Sequence, residues 1–145
     1  SSRLRYRQSR SLKEADGLMK PLGQHYLMEC DGVDKTLLAN PEQLKKVLYQ
    51  SAQAANAQVL LGHCHHFGEG QGVTGVLLLQ ESHISIHTWP EYAYAAIDVF
   101  MCGDAQPQRA IEVLLMSLQP TQHRCQLITR SPLMLAQGRV VPHVL

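Results

Sequence analysis

No run of apolar residues in this chain approaches the length of a membrane span, although 45% of its 145 residues are hydrophobic. No apolar h-region stands near the N-terminus, so no secretory signal is expected. Neither sign of charge dominates: 13 Lys and Arg face 12 Asp and Glu. That balance argues against a dedicated nucleic-acid binder, and the missing apolar run against a membrane partner. The cysteines Cys30, Cys64, Cys102 and Cys125 lie far apart, without a Cys-x-x-Cys pair. Outside a secretory context they are expected as free thiols in a reducing compartment, so a cytoplasmic protein is the expectation. No internal repeat is evident.

What is present suits one domain, large enough to bury a core without disulfide or metal staples. The basic residues are uneven. Arg3, Arg5, Arg7, Arg10, Lys13 and Lys20 crowd the first twenty positions. Residues 1–21 are therefore expected to form a solvated basic arm, and residues 22–145 a single domain.

Within that domain Gly23 to Cys30 reads as a first strand, followed by a turn over Asp31 to Asp34. Asn40-Pro41 opens a helix, with Asn40 as cap and Pro41 at the first helical position. Leu44, Val47, Leu48 and Ala55 recur at helical spacing through Asn56. Val59 to Cys64 reads as a second strand. A loop rich in glycine, Gly68 to Gly72, leads to a third strand over Val76 to Gln80. In 83–87, Ile84 and Ile86 alternate with His83, Ser85 and His87, as in a half-buried strand that Pro90 ends. Tyr94 to Met101 is another strand. Asp104 is expected to cap a second helix through Leu118, which Pro120 stops. Gln126 to Thr129 forms a last strand before an irregular tail. The order points to an α+β fold: a two-layer sandwich, an antiparallel sheet with two helices on one face.

The chemistry concentrates in residues 81–102. Glu81-Ser82-His83 is followed by His87-Thr88-Trp89-Pro90-Glu91-Tyr92, and then by Phe100-Met101-Cys102-Gly103-Asp104. This run resembles the signature of the pyruvoyl-dependent S-adenosylmethionine decarboxylases in their short prokaryotic form. The resemblance spans roughly residues 22–118 and is most specific over 72–103. It implies a proenzyme that cuts itself between Glu81 and Ser82 into two subunits, and short chains paired as homodimers with active sites at the interface.

Such processing has definite needs. A serine attacks the carbonyl just before it, turning amide into ester through an oxyanion that donors must stabilise. A base then removes the serine α-proton, β-elimination cuts the chain, and water releases ammonia to leave a pyruvoyl group. The resemblance makes Ser82 that serine and His87 the processing histidine, able to act as acid or base near neutral pH. Thr74 occupies the hydroxyl position often held by serine. Strict alternation sets Ser82 on the sheet face opposite His87, so a bend at Glu81-Ser82 is expected.

The covalent pyruvoyl group would hold the substrate amine as a Schiff base and serve as electron sink, with no metal required. Cys102 matches the proton-donor cysteine, a role a tunable thiol suits. Phe67 matches an aromatic that stacks on adenine, Glu91 a glutamate that binds ribose, and His87 a second wall of the base site. The implied substrate is S-adenosylmethionine, feeding polyamine (spermidine) biosynthesis. Two other readings fit the same residues: decarboxylation of ornithine or arginine, and an unprocessed homologue that only binds a ligand. The stretch His63-Cys64-His65-His66 reads as polar strand positions. A zinc-like set joining His63 and His65 to His83 or His87 is the less favoured reading. His25, in Leu22-Gly23-Gln24-His25, reads as structural.

Overall fold

The computed structural model describes residues 21–135. The expected basic arm, apart from Pro21, and the end of the tail lie outside the described residues. Six strands form: β1 (Gly23–Asp31), β2 (Val59–His66), β3 (Val73–Leu79), β4 (Ser82–Trp89), β5 (Tyr94–Cys102) and β6 (Gln122–Arg130). They make one sheet in the order β2-β3-β4-β5-β1-β6. Every pairing is antiparallel. Three helices accompany it: α1 (Lys35–Leu38), α2 (Pro41–Ala54) and α3 (Pro107–Leu118).

Period-two alternation decides which face is covered. Leu77 and Leu79 of β3, Ile84 and Ile86 of β4, and Ile97, Val99 and Met101 of β5 are all buried. They form one core with Leu44, Leu48 and Ala52 of α2 and with Ala110, Leu114 and Leu118 of α3. The two long helices pack on each other and on that single face. The expected two-layer α+β sandwich is therefore the observed one. The opposite face has no helix over it among the described residues. None of the described helices is long and apolar enough to cross a membrane.

The local signals were mostly obeyed. Asn40 Oδ1 accepts a hydrogen bond from Gln43 N at 3.1 Å, and Pro41 opens α2. The second long helix differs. It starts at Pro107, not at Asp104, and its N-cap Gln106 makes no side-chain cap bond. Pro107, pre-set for a first helical turn, outweighs the carboxylate three residues earlier. The turn after β1 is followed by α1, whose cap Asp34 accepts from Thr36 N at 2.8 Å. β3 begins at Val73, and β6 covers 122–130, both longer than expected.

One buried hydroxyl pins the centre of the sheet. Thr88 Oγ1 accepts from Val73 N at 2.8 Å and donates to Leu38 O at 2.6 Å. It ties β4 to β3 and α1 one residue past His87. A Cβ on Gly72 would lie 2.1 Å from Thr88 O. Only a glycine allows the loop to come this close to β4.

Candidate active site

Ser82 begins β4 directly after a hairpin turn. The turn residue Glu81 has φ 59°, in the left-handed region. For a residue with a side chain this costs about 1 kcal/mol or more. The chain turns sharply at Glu81, just before Ser82. Across the sheet, β5 ends at Cys102. Cys102 N donates to Ser82 Oγ at 3.1 Å. Cys102 Sγ donates to the carbonyl oxygen of Glu81 at 3.1 Å. The serine, the carbonyl before it and the thiol therefore stand together. Burial pushes the Cys102 thiol up and the nearby Glu81 charge pushes it further, while the hydrogen bond with Ser82 opposes them. The thiol thus keeps its proton at neutral pH.

A second group stands at the other end of β4. Thr74 and His87 are cross-strand partners, and Thr74 Oγ1 lies 3.0 Å from His87 Nδ1. Trp89 follows on the same face, its ring centroid 6.3 Å from that of His87. Trp89 stacks on Tyr94 at 5.3 Å and 21°. Glu91 is exposed in the 3₁₀ turn Pro90–Tyr92. Phe67, after β2, is 63% exposed.

These two groups do not meet within one chain. His87 lies five residues beyond Ser82 on β4, about 16 Å at roughly 3.3 Å per residue. Ser82 also keeps the alternation of Ile84, Ile86 and Thr88, whereas His87 faces the uncovered side. The bend at Glu81 does not carry His87 to the serine; His87 pairs with Thr74 instead. Of the expected site residues, Glu81, Ser82 and Cys102 form one cluster, and Thr74 and His87 form another.

A third cluster on the uncovered face escaped the sequence reading. Arg130 Nη1 is 3.2 Å from His25 Nδ1. His25 Nε2 is buried and 3.5 Å from Asp98 Oδ2, too long for a good hydrogen bond. His83 stacks on Phe100 at 5.6 Å and 21°. Burial lowers the His83 pKa and His25 adds to this, against the opposing pull of Asp98. The period-two spacing of His83 and Asp98 among apolar neighbours was the available signal.

The ligand atoms of His25, His83 and Asp98 lie within 4.8 Å of one another. A guanidinium only donates, so Nδ1 of His25 accepts from Arg130 and Nε2 carries the proton. A cation here would have to displace that proton beside a fixed positive charge. The alternative set built from His63 and His65 is not assembled: register puts them opposite Val76 and Thr74, a full strand away from β4. All four cysteines are free. A cavity of about 500 Å³ lies at the far end of β1 from Gly23, lined by Glu29, Asp31, Tyr92, Tyr94 and Arg124 among others.

Comparison with known proteins places the chain in a family. The family model for S-adenosylmethionine decarboxylase matches residues 24–131. An S-adenosylmethionine decarboxylase proenzyme of Pyrococcus furiosus is 39% identical over 98 residues, covering 67% of this chain and 70% of that one. Proenzymes of the same name from Sulfurihydrogenibium and Methanococcus aeolicus are 45% and 44% identical. The first covers 70% of this chain and 76% of its own length, the second 72% and 89%. The crystal structure of the adenosylmethionine decarboxylase from Aquifex aeolicus superposes with a TM-score of 0.73 at 36% identity, covering 79% of this chain and 94% of that one. The class is thus that of decarboxylases built on an α+β sandwich. Within it, this chain belongs to the S-adenosylmethionine decarboxylase family.

Proposed function

We propose that this protein is a self-processing, pyruvoyl-dependent decarboxylase of S-adenosylmethionine, acting in the cytoplasm as a homodimer and supplying polyamine synthesis. The observation that carries this is the meeting of Ser82, the Glu81 carbonyl and the Cys102 thiol at a left-handed turn. The relatives described above carry the S-adenosylmethionine name, which favours this substrate over ornithine or arginine.

In processing, Ser82 Oγ bonds to the Glu81 carbonyl carbon and the amide C–N bond breaks, freeing the Ser82 amine. The Cys102 thiol, already donating to that carbonyl oxygen, is placed to steady the oxyanion. A base, the role the resemblance gives His87, takes the Ser82 α-proton and so expels the Glu81 carboxylate, and water replaces the nitrogen as ammonia. The two pieces, one ending at Glu81 and one starting at Ser82, stay together because β3 and β4 remain paired across the break. The pyruvoyl group so formed supplies the electron sink for loss of carbon dioxide. Cys102, kept protonated, delivers a proton to the carbon that has lost carboxylate. Phe67 and His87 flank the adenine, and Glu91 accepts from the ribose hydroxyls.

A second copy completes the site. Ser82 and Cys102 stand at one end of β4, while Thr74, His87 and Glu91 stand at the other. A two-fold contact sets one end of each copy against the opposite end of its mate and makes two equal sites. The uncovered face offers an apolar surface for this. Val76, Leu78 and Ile128 are 36%, 44% and 45% exposed there, and burying apolar area drives such pairing.

The test is the intact mass of the purified chain under denaturing conditions. Two fragments meeting between Glu81 and Ser82, the second with a pyruvoyl end, are expected. A single intact chain, stable on incubation, would overturn the self-processing reading.

A further inference from the structure

The histidine-rich end of β2 has no part in the chemistry above. β2 closes with His63-Cys64-His65-His66 and runs directly into Phe67. Its register puts His65 opposite Thr74, and Thr74 opposite His87. Cross-strand partners share a face, so His65, Thr74 and His87 stand in one row on the uncovered side. His66 faces the other way and serves the loop: its Nε2 lies 3.2 Å from Gln71 O. Two backbone bonds close the same loop, Phe67 N to Gly72 O at 3.1 Å and Gln71 N to Gly68 O at 2.9 Å.

The main chain at Phe67 is therefore fixed, but its ring is 63% exposed. An exposed ring hops between rotamers unless a neighbour favours one. His65 is that neighbour. Its ring meets Phe67 edge-to-face, with centroids 4.7 Å apart and planes at 73°, a favoured arrangement for two aromatic rings. We propose that His65 is a positioning residue. It holds the Phe67 ring as a flat, pre-set wall for the adenine base of the substrate. Pre-setting a binding surface strengthens binding by removing the cost of ordering it. This inference rests on the reading that Phe67 stacks on the base.

His65 touches none of the bond-breaking groups at the Ser82 end. Its loss therefore weakens substrate binding and spares both cleavage and turnover. What the contact needs is an aromatic edge, not an imidazole, so phenylalanine serves in its place.

The experiment compares His65→Leu, His65→Phe and Phe67→Ala for chain cleavage by mass, and for kcat and KM with S-adenosylmethionine. His65→Leu is expected to cleave fully, keep kcat and raise KM about two- to tenfold, the size of one edge-to-face contact. His65→Phe is expected to recover most of that loss. The competitive inhibition constant of adenosine should move with KM, and that of methionine should not. A parental KM in His65→Leu beside a raised KM in Phe67→Ala overturns the role of His65 and leaves the base-stacking reading standing. A parental KM in Phe67→Ala overturns that reading, and the inference with it. A fall in kcat or in cleavage for His65→Leu, with KM unchanged, also overturns it.

Discussion

The two ends of β4 carry different chemistry on one strand. At the hairpin end, Cys102 donates from its backbone to Ser82 Oγ across 20 residues of sequence and from its thiol to the carbonyl of a strained Glu81. At the far end, Thr74 and His87 are bonded to each other and flanked by flat or charged side chains. In the function proposed above, the first end holds what makes and breaks bonds. In that reading the second holds what recognises a nucleoside. Rigid strands cannot bring the two together in one chain. The comparison teaches that a single sheet can hold two groups of polar residues too far apart to act together, which is why the proposed function calls on a second copy.

The ends should separate kinetically. Cys102→Ala, at the hairpin end, is expected to cleave more slowly, having lost the thiol that donates to the Glu81 carbonyl, and to bind substrate once cleaved. Its kcat should drop about 10²- to 10⁴-fold, the usual worth of a placed proton donor. Normal turnover would remove Cys102 from the reaction. Glu91→Ala, at the far end, should cleave normally and lose about ten- to a hundredfold in kcat/KM, as loss of hydrogen bonds to a charged group predicts. Most of that loss should fall on KM. A loss confined to kcat would erase the distinction between the ends.

Two changes at buried residues outside both groups serve as controls. Thr88→Val leaves Val73 N and Leu38 O without their buried partner. It should destabilise the fold by about 1–3 kcal/mol in a denaturant titration while leaving KM within about twofold at low temperature. The smallest effect concerns Cys30, fully buried on β1. Burial, followed by the charge of Asp31, pushes its thiol from 9.0 up to about 11. A raised pKa means that the unfolded chain ionises first. The stability involved is whole below pH 9 and is lost as pH rises toward 11. Over that window the parent should lose about 1–2 kcal/mol more than Cys30→Ala. Equal losses would refute the assignment to this thiol.

Much of this was legible in the sequence, because β1, β4 and β5 alternate cleanly and α2 begins with a proper cap. β6 was read short. It is an edge strand whose residues are all exposed, so no buried side shaped its composition. β3 was read late because Val73, Thr74 and Gly75 follow a run of glycines and look like loop. α1 has four residues, too few to show a helical period. The Glu-Ser-His and His-Thr-Trp-Pro-Glu runs mark the site residues, but not their distribution over two clusters. Spacing along one strand was visible, but pairing partners such as Thr74 with His87 depend on register. The acid–imidazole–guanidinium row of Asp98, His25 and Arg130 draws on three strands, and no local pattern announces it.

The division of the site between two copies is tested most directly by complementation. Ser82→Ala and His87→Ala chains should each be inactive alone. Co-expressed, mixed pairs hold one intact site and one doubly defective site. Random pairing should restore about a quarter of the parental sites, with cleavage confined to chains that keep Ser82. Mixed samples as inactive as the separate variants would contradict the account, because the site would then lie within a single chain.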